Sequence, residues 1–199
     1  MLKVGVIGTG TIAREHARGI SMLRGSAEIV AACDVDADSL DGFCRFFQVP
    51  LRYKDSAELI ANPDVLLVVI TAPPRAHEPL AISALNAEKF VFCEKPLAHS
   101  FVSASRIVEA ASSHPGRCSV GHQLRYDPMF RRIHWLCRNG WIGEIKSALV
   151  ERHSQIPRQE AGKTGWWGSW NVAGGGVLIT QLIHEIDLLL LVMGRPISV

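Results

Sequence analysis

The sequence predicts an α/β fold, with an N-terminal doubly wound parallel sheet covered by helices on both faces and then a partial, truncated α/β second domain. Three observations carry this. Short apolar runs alternate with helical stretches as far as residue 120. The connections between them are short, as strand–helix–strand crossovers within one sheet require. Val65–Ile70 is apolar throughout and rich in β-branched residues, the pattern of a strand buried on both faces.

Leu2–Ile7 is the first strand and runs into glycines. Thr11–Leu23 sets Ile12, His16, Ile20 and Leu23 near one helical stripe. Glu28–Cys33 is the second strand and ends at Asp34; Asp36 then caps a helix that runs through Phe47. Ser56–Ala61 is a short helix entered from Asp55, and Thr71–Pro74 breaks the strand at Val65–Ile70. A helix at His77–Ala87, a strand at Phe90–Cys93, a helix at Ser100–Ser113 and a strand at Arg117–Val120 complete the alternation. The rhythm changes near Gly121, which sets a domain boundary between residues 1–122 and 123–199. Beyond it, Asp127–Arg138 is an amphipathic helix stopped by Asn139-Gly140, and Gly143 precedes a strand at Glu144–His153. Gly174-Gly175-Gly176 leads into an apolar helix at Val177–Met193. One strand cannot satisfy its own edges, so this second domain reads as incomplete.

Composition narrows the function. Hydrophobic residues make up 48% of the 199, charged residues 20%, and the net charge is +2. Lys and Arg are scattered, so neither nucleic acid nor a membrane surface is an expected partner. The five cysteines, Cys33, Cys44, Cys93, Cys118 and Cys137, form no CxxC pair, and no histidine spacing suggests zinc. Reduced, buried thiols, no metal and a cytoplasmic location are expected. The opening MLKVGVIGTG has no basic leader, apolar core or cleavage site, so no secretion signal is expected. Val177–Met193 carries Thr180, Gln181, His184, Glu185 and Asp187, which suits a buried helix rather than a bilayer span.

The first chemical signal is VGVIGTGTIA at Val4–Ala13. Gly8, Gly10 and Ala13 form GxGxxA directly after a strand and at the opening of a helix. The first glycine permits the tight turn and the second lets backbone approach a pyrophosphate. The small third residue lets helix and strand pack closely. The helix N-terminus, at Thr11 and Ile12, offers amide N–H groups and a partial positive charge. This is a Rossmann-type dinucleotide turn. Asp34 ends the next strand, 21 residues after Ala13, where a ribose-binding acid is expected. A carboxylate there accepts from ribose hydroxyls and repels a 2′-phosphate, and no Arg follows it directly, so NAD is favoured over NADP.

The run KFVFCEKPLAHS, with Glu94-Lys95-Pro96, resembles the EKP segment of the glucose–fructose oxidoreductase / inositol dehydrogenase / MocA (Gfo/Idh/MocA) family. VGVIGTGTIA, TAPPRAH at Thr71–His77, GHQLRYDP at Gly121–Pro128 and GGGVLITQLIHEIDLL at Gly174–Leu189 also match, in the family's order and over almost the whole chain. The resemblance implies an NAD(P)-dependent dehydrogenase or reductase of sugars, inositols or related polyols. It also implies a second domain built on a large antiparallel sheet. It assigns Gly8, Gly10, Thr11, Ile12, Ala13, Asp34, Thr71, Pro73, His77, Glu94, Lys95 and Arg125 to the cofactor.

The resemblance places Lys95 beside nicotinamide and substrate, with Lys95-Pro96 often a cis peptide. Lys95 and His184 are then the catalytic acid–base candidates. The plainer alternatives are a turn lysine paired with Glu94 and a satisfied core histidine. Thr180 shares a helical face with His184, and Asp187 lies three residues beyond His184. Thr180 stands where the family commonly has Asp, and threonine is no base near neutral pH. Asp187 either orients a partner or caps buried groups. Tyr126, Trp167, Thr180 and Asp187 are the substrate-side candidates; Arg125 and Tyr126 serve either the ligands or domain packing. Trp167 replaces a frequent Arg, and Pro74 a frequent Asn. Family members usually continue well past the position of Val199. A fragment, a truncated product or a chain that completes its sheet as a homo-oligomer through the second domain is therefore expected. The alternative to an enzyme is a non-catalytic dinucleotide sensor of the same fold. Glycoside cleavage by transient oxidation would need an extra leaving-group acid, for which the sequence offers no candidate.

Overall fold

The computed structural model describes residues 1–23, 25–153 and 169–198. The chain forms two compact units, Met1–Gly121 and a second from His122 onward. The first unit runs β1 (Leu2–Ile7), α1 (Thr11–Met22), β2 (Ala27–Cys33), α2 (Ala37–Phe47), β3 (Leu51–Tyr53) and α3 (Ser56–Ala61). It continues with β4 (Leu67–Ile70), α4 (Pro74–Asn86), β5 (Phe90–Glu94), α5 (Phe101–Ser112) and β6 (Cys118–Gly121). The sheet order is β3-β2-β1-β4-β5-β6 and every pair is parallel. The order reverses between β1 and β4, and ligands of such sheets bind outside the carboxyl ends at that point.

Period-two alternation explains why the central strands are apolar at every position. On β4, Val68 and Ile70 join Leu59, Leu85 and Ile107, on the face covered by α3, α4 and α5. Val69 points the other way, to Val4, Val6, Ala13, Ala17 and Phe43, under α1 and α2. Gly5 faces the first cluster at very short range: a Cβ there would sit 2.7 Å from Leu59 Cδ2. Side-chain caps fix the helix starts. Asp36 accepts from Ser39 N–H, Asp55 from Ala57 N–H and Ser100 from Ser103 N–H. α1 and α4 differ: their N-caps are Gly10 and Pro73, and no side chain caps either.

β3 carries no period the sequence could reveal. It is a three-residue edge strand that exists because it pairs with Ala31–Cys33.

The second unit holds a 3₁₀ turn at Gln123–Tyr126, α6 (Pro128–Arg138), α7 (Trp170–Ala173), α8 (Val177–Thr180) and α9 (Ile183–Met193). Two expectations are corrected here. Glu144–His153 is not a strand: its described backbone is irregular, and Leu149 is exposed. A strand needs a ladder partner, and there is none among the described residues of this unit. The helix at Val177–Met193 is interrupted, since the Val177 carbonyl accepts from both Gln181 and Leu182 N–H at 2.9 Å. That closes α8 after one turn, and α9 starts afresh at Ile183. Trp167 lies outside the described residues. No described helix is long and apolar enough to cross a membrane.

Phe43 is fully buried and packs at 4.9 Å on Phe47, so Phe43→Ala leaves a large cavity under α2. Urea unfolding is expected to show a loss of about 3–5 kcal/mol; a loss below about 1 kcal/mol would mean that this face relaxes freely.

Candidate functional site

The first unit's site is built at the carboxyl ends of β1, β4 and β5. Gly8 has φ +90° and abuts the chain leaving β4, where a Cβ would come within 2.6 Å of Ala72 N. Both facts demand glycine. Thr71 secures the same contact: its N–H donates to Ile7 O at 2.8 Å and its hydroxyl to Gly8 O at 2.6 Å. At Gly10 the opposite holds, since a Cβ would meet nothing within 4 Å. The open space lies in front of the uncapped first turn of α1, and Ala13 is buried beneath it. Such a turn offers amide donors and a positive dipole end to an anion. Thr11 and Ile12 are exposed there.

Asp34 borders this turn. Its Oδ2 accepts from Thr9 N–H at 2.7 Å and from the Thr9 hydroxyl at 2.8 Å. Its Oδ1 accepts from Asp36 N–H at 3.0 Å. The carboxylate therefore leans on the turn itself and remains partly exposed.

Glu94, at the end of β5, ties the turn's helix to the EKP segment. Its Oε1 lies 2.7 Å from His16 Nε2 on α1, and its Oε2 accepts from Lys95 N–H at 3.1 Å. His16 also sets its ring edge-on to Phe92, centroids 5.2 Å apart. Burial pushes the Glu94 carboxyl up, but the His16 hydrogen bond and charge, with the Lys95 amide and charge, outweigh it. The net shift is downward. Gly121 makes room, because a Cβ there would sit 3.0 Å from Glu94 Oε1. Lys95 is half-buried and the Lys95-Pro96 peptide is cis.

His77 is buried, with Nδ1 2.9 Å from Pro96 O and Nε2 2.7 Å from Ala72 O. Burial lowers its pKa against those two carbonyls, which raise it. The ring thus joins the chain after β4 to the chain after Lys95. Pro73 is the N-cap of α4. Cys33 and Cys93 are buried, and burial raises both thiols, Cys33 to about 11.

In the second unit, Arg125 Nε and Nη2 donate to Asp187 Oδ2 and Oδ1, both at 2.6 Å. This two-pronged pair holds the 3₁₀ turn to α9. His122 Nδ1 is 3.7 Å from Asp187 Oδ2, and the His122 and His184 rings stand perpendicular with centroids 6.0 Å apart. Gln123 Nε2 is 3.5 Å from His184 Nε2. The Thr180 hydroxyl donates to Gly176 O at 3.1 Å. His184, Asp187 and Thr180 are all buried. Tyr126 is exposed and lines a groove with Arg131, His134 and Trp135 of α6.

Gly8, Gly10, Ala13, Asp34 and Thr71 therefore meet around one turn, while Glu94 and His77 grip the backbone on either side of Lys95. Arg125, Asp187 and His184 cluster on the second unit. Sequence reasoning missed Thr9, His16, His122 and Gln123. The one available signal was His16, an ionisable residue on the apolar stripe Ile12, His16, Ile20 and Leu23, although the structure buries Ala13 and Ala17 of α1 and leaves Ile12 and Leu23 exposed.

Two family models match the chain. The oxidoreductase family with an NAD-binding Rossmann fold, GFO/IDH/MocA, covers residues 2–122, and the GFO/IDH/MocA C-terminal domain covers residues 130–199. The inositol 2-dehydrogenase of Salmonella typhimurium is 35% identical over 193 residues, 94% of this chain and 53% of that protein. The myo-inositol dehydrogenase of Lactobacillus casei, solved with NAD(H) and myo-inositol, is 34% identical with a TM-score of 0.68, over 72% of this chain and 43% of its own. A probable dehydrogenase of Thermotoga maritima is 28% identical with a TM-score of 0.80, over 98% of this chain and 56% of its own. The chain spans about half the length of the curated relatives it matches.

The depressed Glu94 carboxyl carries a pH signature. Its contribution to stability is complete above the ordinary value of 4.5 and is lost as pH falls through the lower folded value. Glu94→Gln is expected to cost about 1 kcal/mol at neutral pH, with the gap to wild type closing as pH drops below that range. Denaturant titrations at both pH values check this; a gap independent of pH would remove the charge from the account.

Proposed function

This chain belongs to the Gfo/Idh/MocA oxidoreductase family, and on that premise we propose that its first unit holds NAD(H) and serves hydride transfer between nicotinamide and an alcohol carbon of an inositol, sugar or related polyol. The observation that carries the proposal is the uncapped glycine turn with an anchored carboxylate at its edge. The residues present fit the cofactor. The open space at Gly10 admits a pyrophosphate to the amides of Thr11, Ile12 and Ala13. Asp34 accepts from a ribose hydroxyl and disfavours a 2′-phosphate, which selects NAD over NADP.

Bound nicotinamide supplies the acceptor for a hydride from the substrate C–H. The chain's own task is to orient the alcohol and take its O–H proton as the carbonyl forms. Lys95, in its amine form, or His184 is the base for that proton. Glu94 and His77 hold the backbone around Lys95, and Thr71 holds the turn. Arg125 keeps Asp187 in place beside His122. Tyr126, Thr180 and Asp187 belong to the polyol side. The second domain is the surface of self-association, and the buried thiols suit the cytoplasm.

The protein expressed from its natural gene is expected to form NADH with a member of an inositol and sugar panel. Lys95→Ala should lower turnover by about 10²–10⁴-fold while NAD still binds. A folded, NAD-binding protein with no turnover across the panel would overturn the catalytic proposal, and near-normal turnover in Lys95→Ala would remove Lys95 from it.

A further inference from the structure

Thr9 lies between the two glycines of the turn and is 0% exposed. Its amide and its hydroxyl both donate to the same oxygen, Asp34 Oδ2, at 2.7 and 2.8 Å. A hydroxyl has one proton to give. The Ser39 hydroxyl lies 2.9 Å from Thr9 Oγ1 and 3.4 Å from Thr9 O, so Ser39 is the donor and the shorter contact to Oγ1 is the one it favours. Ser39 is itself fixed, since its N–H donates to Asp36 Oδ1 at 2.9 Å in the first turn of α2. The result is a directed relay: Ser39 O–H to Thr9 Oγ1, then Thr9 O–H to Asp34 Oδ2.

An ionised carboxylate has about four acceptor positions. Thr9 takes two on Oδ2, and the Asp36 amide takes one on Oδ1. One position on Oδ1 is left for an incoming donor. A ribose 2′-hydroxyl can fill it, whereas a 2′-phosphate brings charge and no proton. Rotation of the carboxylate away from that phosphate would break both Thr9 bonds. Discrimination therefore depends on how firmly Oδ2 is held as well as on the charge of Asp34.

We infer that Thr9, supplied by Ser39, is a specificity-determining positioning residue that holds Asp34 in the orientation that accepts a dinucleotide with a free ribose 2′-hydroxyl and rejects its 2′-phosphorylated form. This rests on the cofactor proposed above. Thr9 acts through Asp34 and is not a catalytic residue.

Calorimetric titration of the full chain with NAD⁺ and with NADP⁺ tests it. The ratio of the two Kd values, NADP⁺ over NAD⁺, is the readout. Thr9→Val keeps shape, burial and the backbone amide but removes the hydroxyl donor, and the ratio is expected to fall about tenfold. Ser39→Ala should lower it about threefold, and Thr9→Ser, which keeps the hydroxyl, should retain the wild-type ratio. Parallel weakening of both ligands in Thr9→Val, or an unchanged ratio, overturns the inference, because a merely structural Thr9 would change stability without changing selectivity. If Thr9→Val does not fold, Ser39→Ala decides, and an unchanged ratio there has the same force. Wild-type protein that binds neither dinucleotide overturns the cofactor proposal instead.

Discussion

A helix that starts without a cap is the constraint around which the first unit is arranged. The first turn of α1 presents amide donors, and no side chain receives them. By contrast α2 and α5 start from a capping Asp and Ser, and α4, also without a side-chain cap, starts from Pro73-Pro74, where proline has no N–H to satisfy. Gly8 turns the chain sharply enough to aim the helix outward, and Gly10 leaves its approach clear. The Asp34 carboxylate accepts from Thr9 and from the Asp36 amide and does not cap α1. The hydrogen bonds that build the rim thus direct the Asp34 carboxylate to Thr9 and Asp36.

The lysine segment is held by a second set of contacts that do not involve its ammonium group. Glu94 grips the Lys95 amide from one side, and His77 reaches the Pro96 carbonyl from the other. His16 connects Glu94 to α1, so the helix that faces the turn and the loop that carries Lys95 share a rigid link. In the second unit the same economy appears at Asp187, whose two oxygens are both engaged by Arg125.

Much of the first unit was legible because its signals are local. Gly8, Gly10 and Ala13 declare a turn within six residues, and Asp36, Asp55 and Ser100 announce helix starts from adjacent positions. What escaped was non-local. His16 and Glu94 are 78 residues apart, and Thr9 and Asp34 are 25 apart. Gly121 reads as punctuation in the sequence, although its lack of a side chain serves Glu94. Glu144–His153 alternates enough to suggest a strand, but alternation cannot supply the neighbour a strand needs. β3 was invisible for the converse reason: its neighbour makes it.

The close approach of Gly8 to Thr71 and Ala72 also orders events during folding. The turn reads as a short motif, but one wall of it arrives 63 residues later in the chain, after three helices and three strands. Loop closure on that scale carries an entropic cost before the contact rewards it. The glycine turn takes its shape only when β4 docks beside β1, so a nascent chain that ends before β4 has the motif and lacks the cradle. Dinucleotide capture is then a late milestone, and a ligand that binds there stabilises the completed crossover over every earlier, partly folded form.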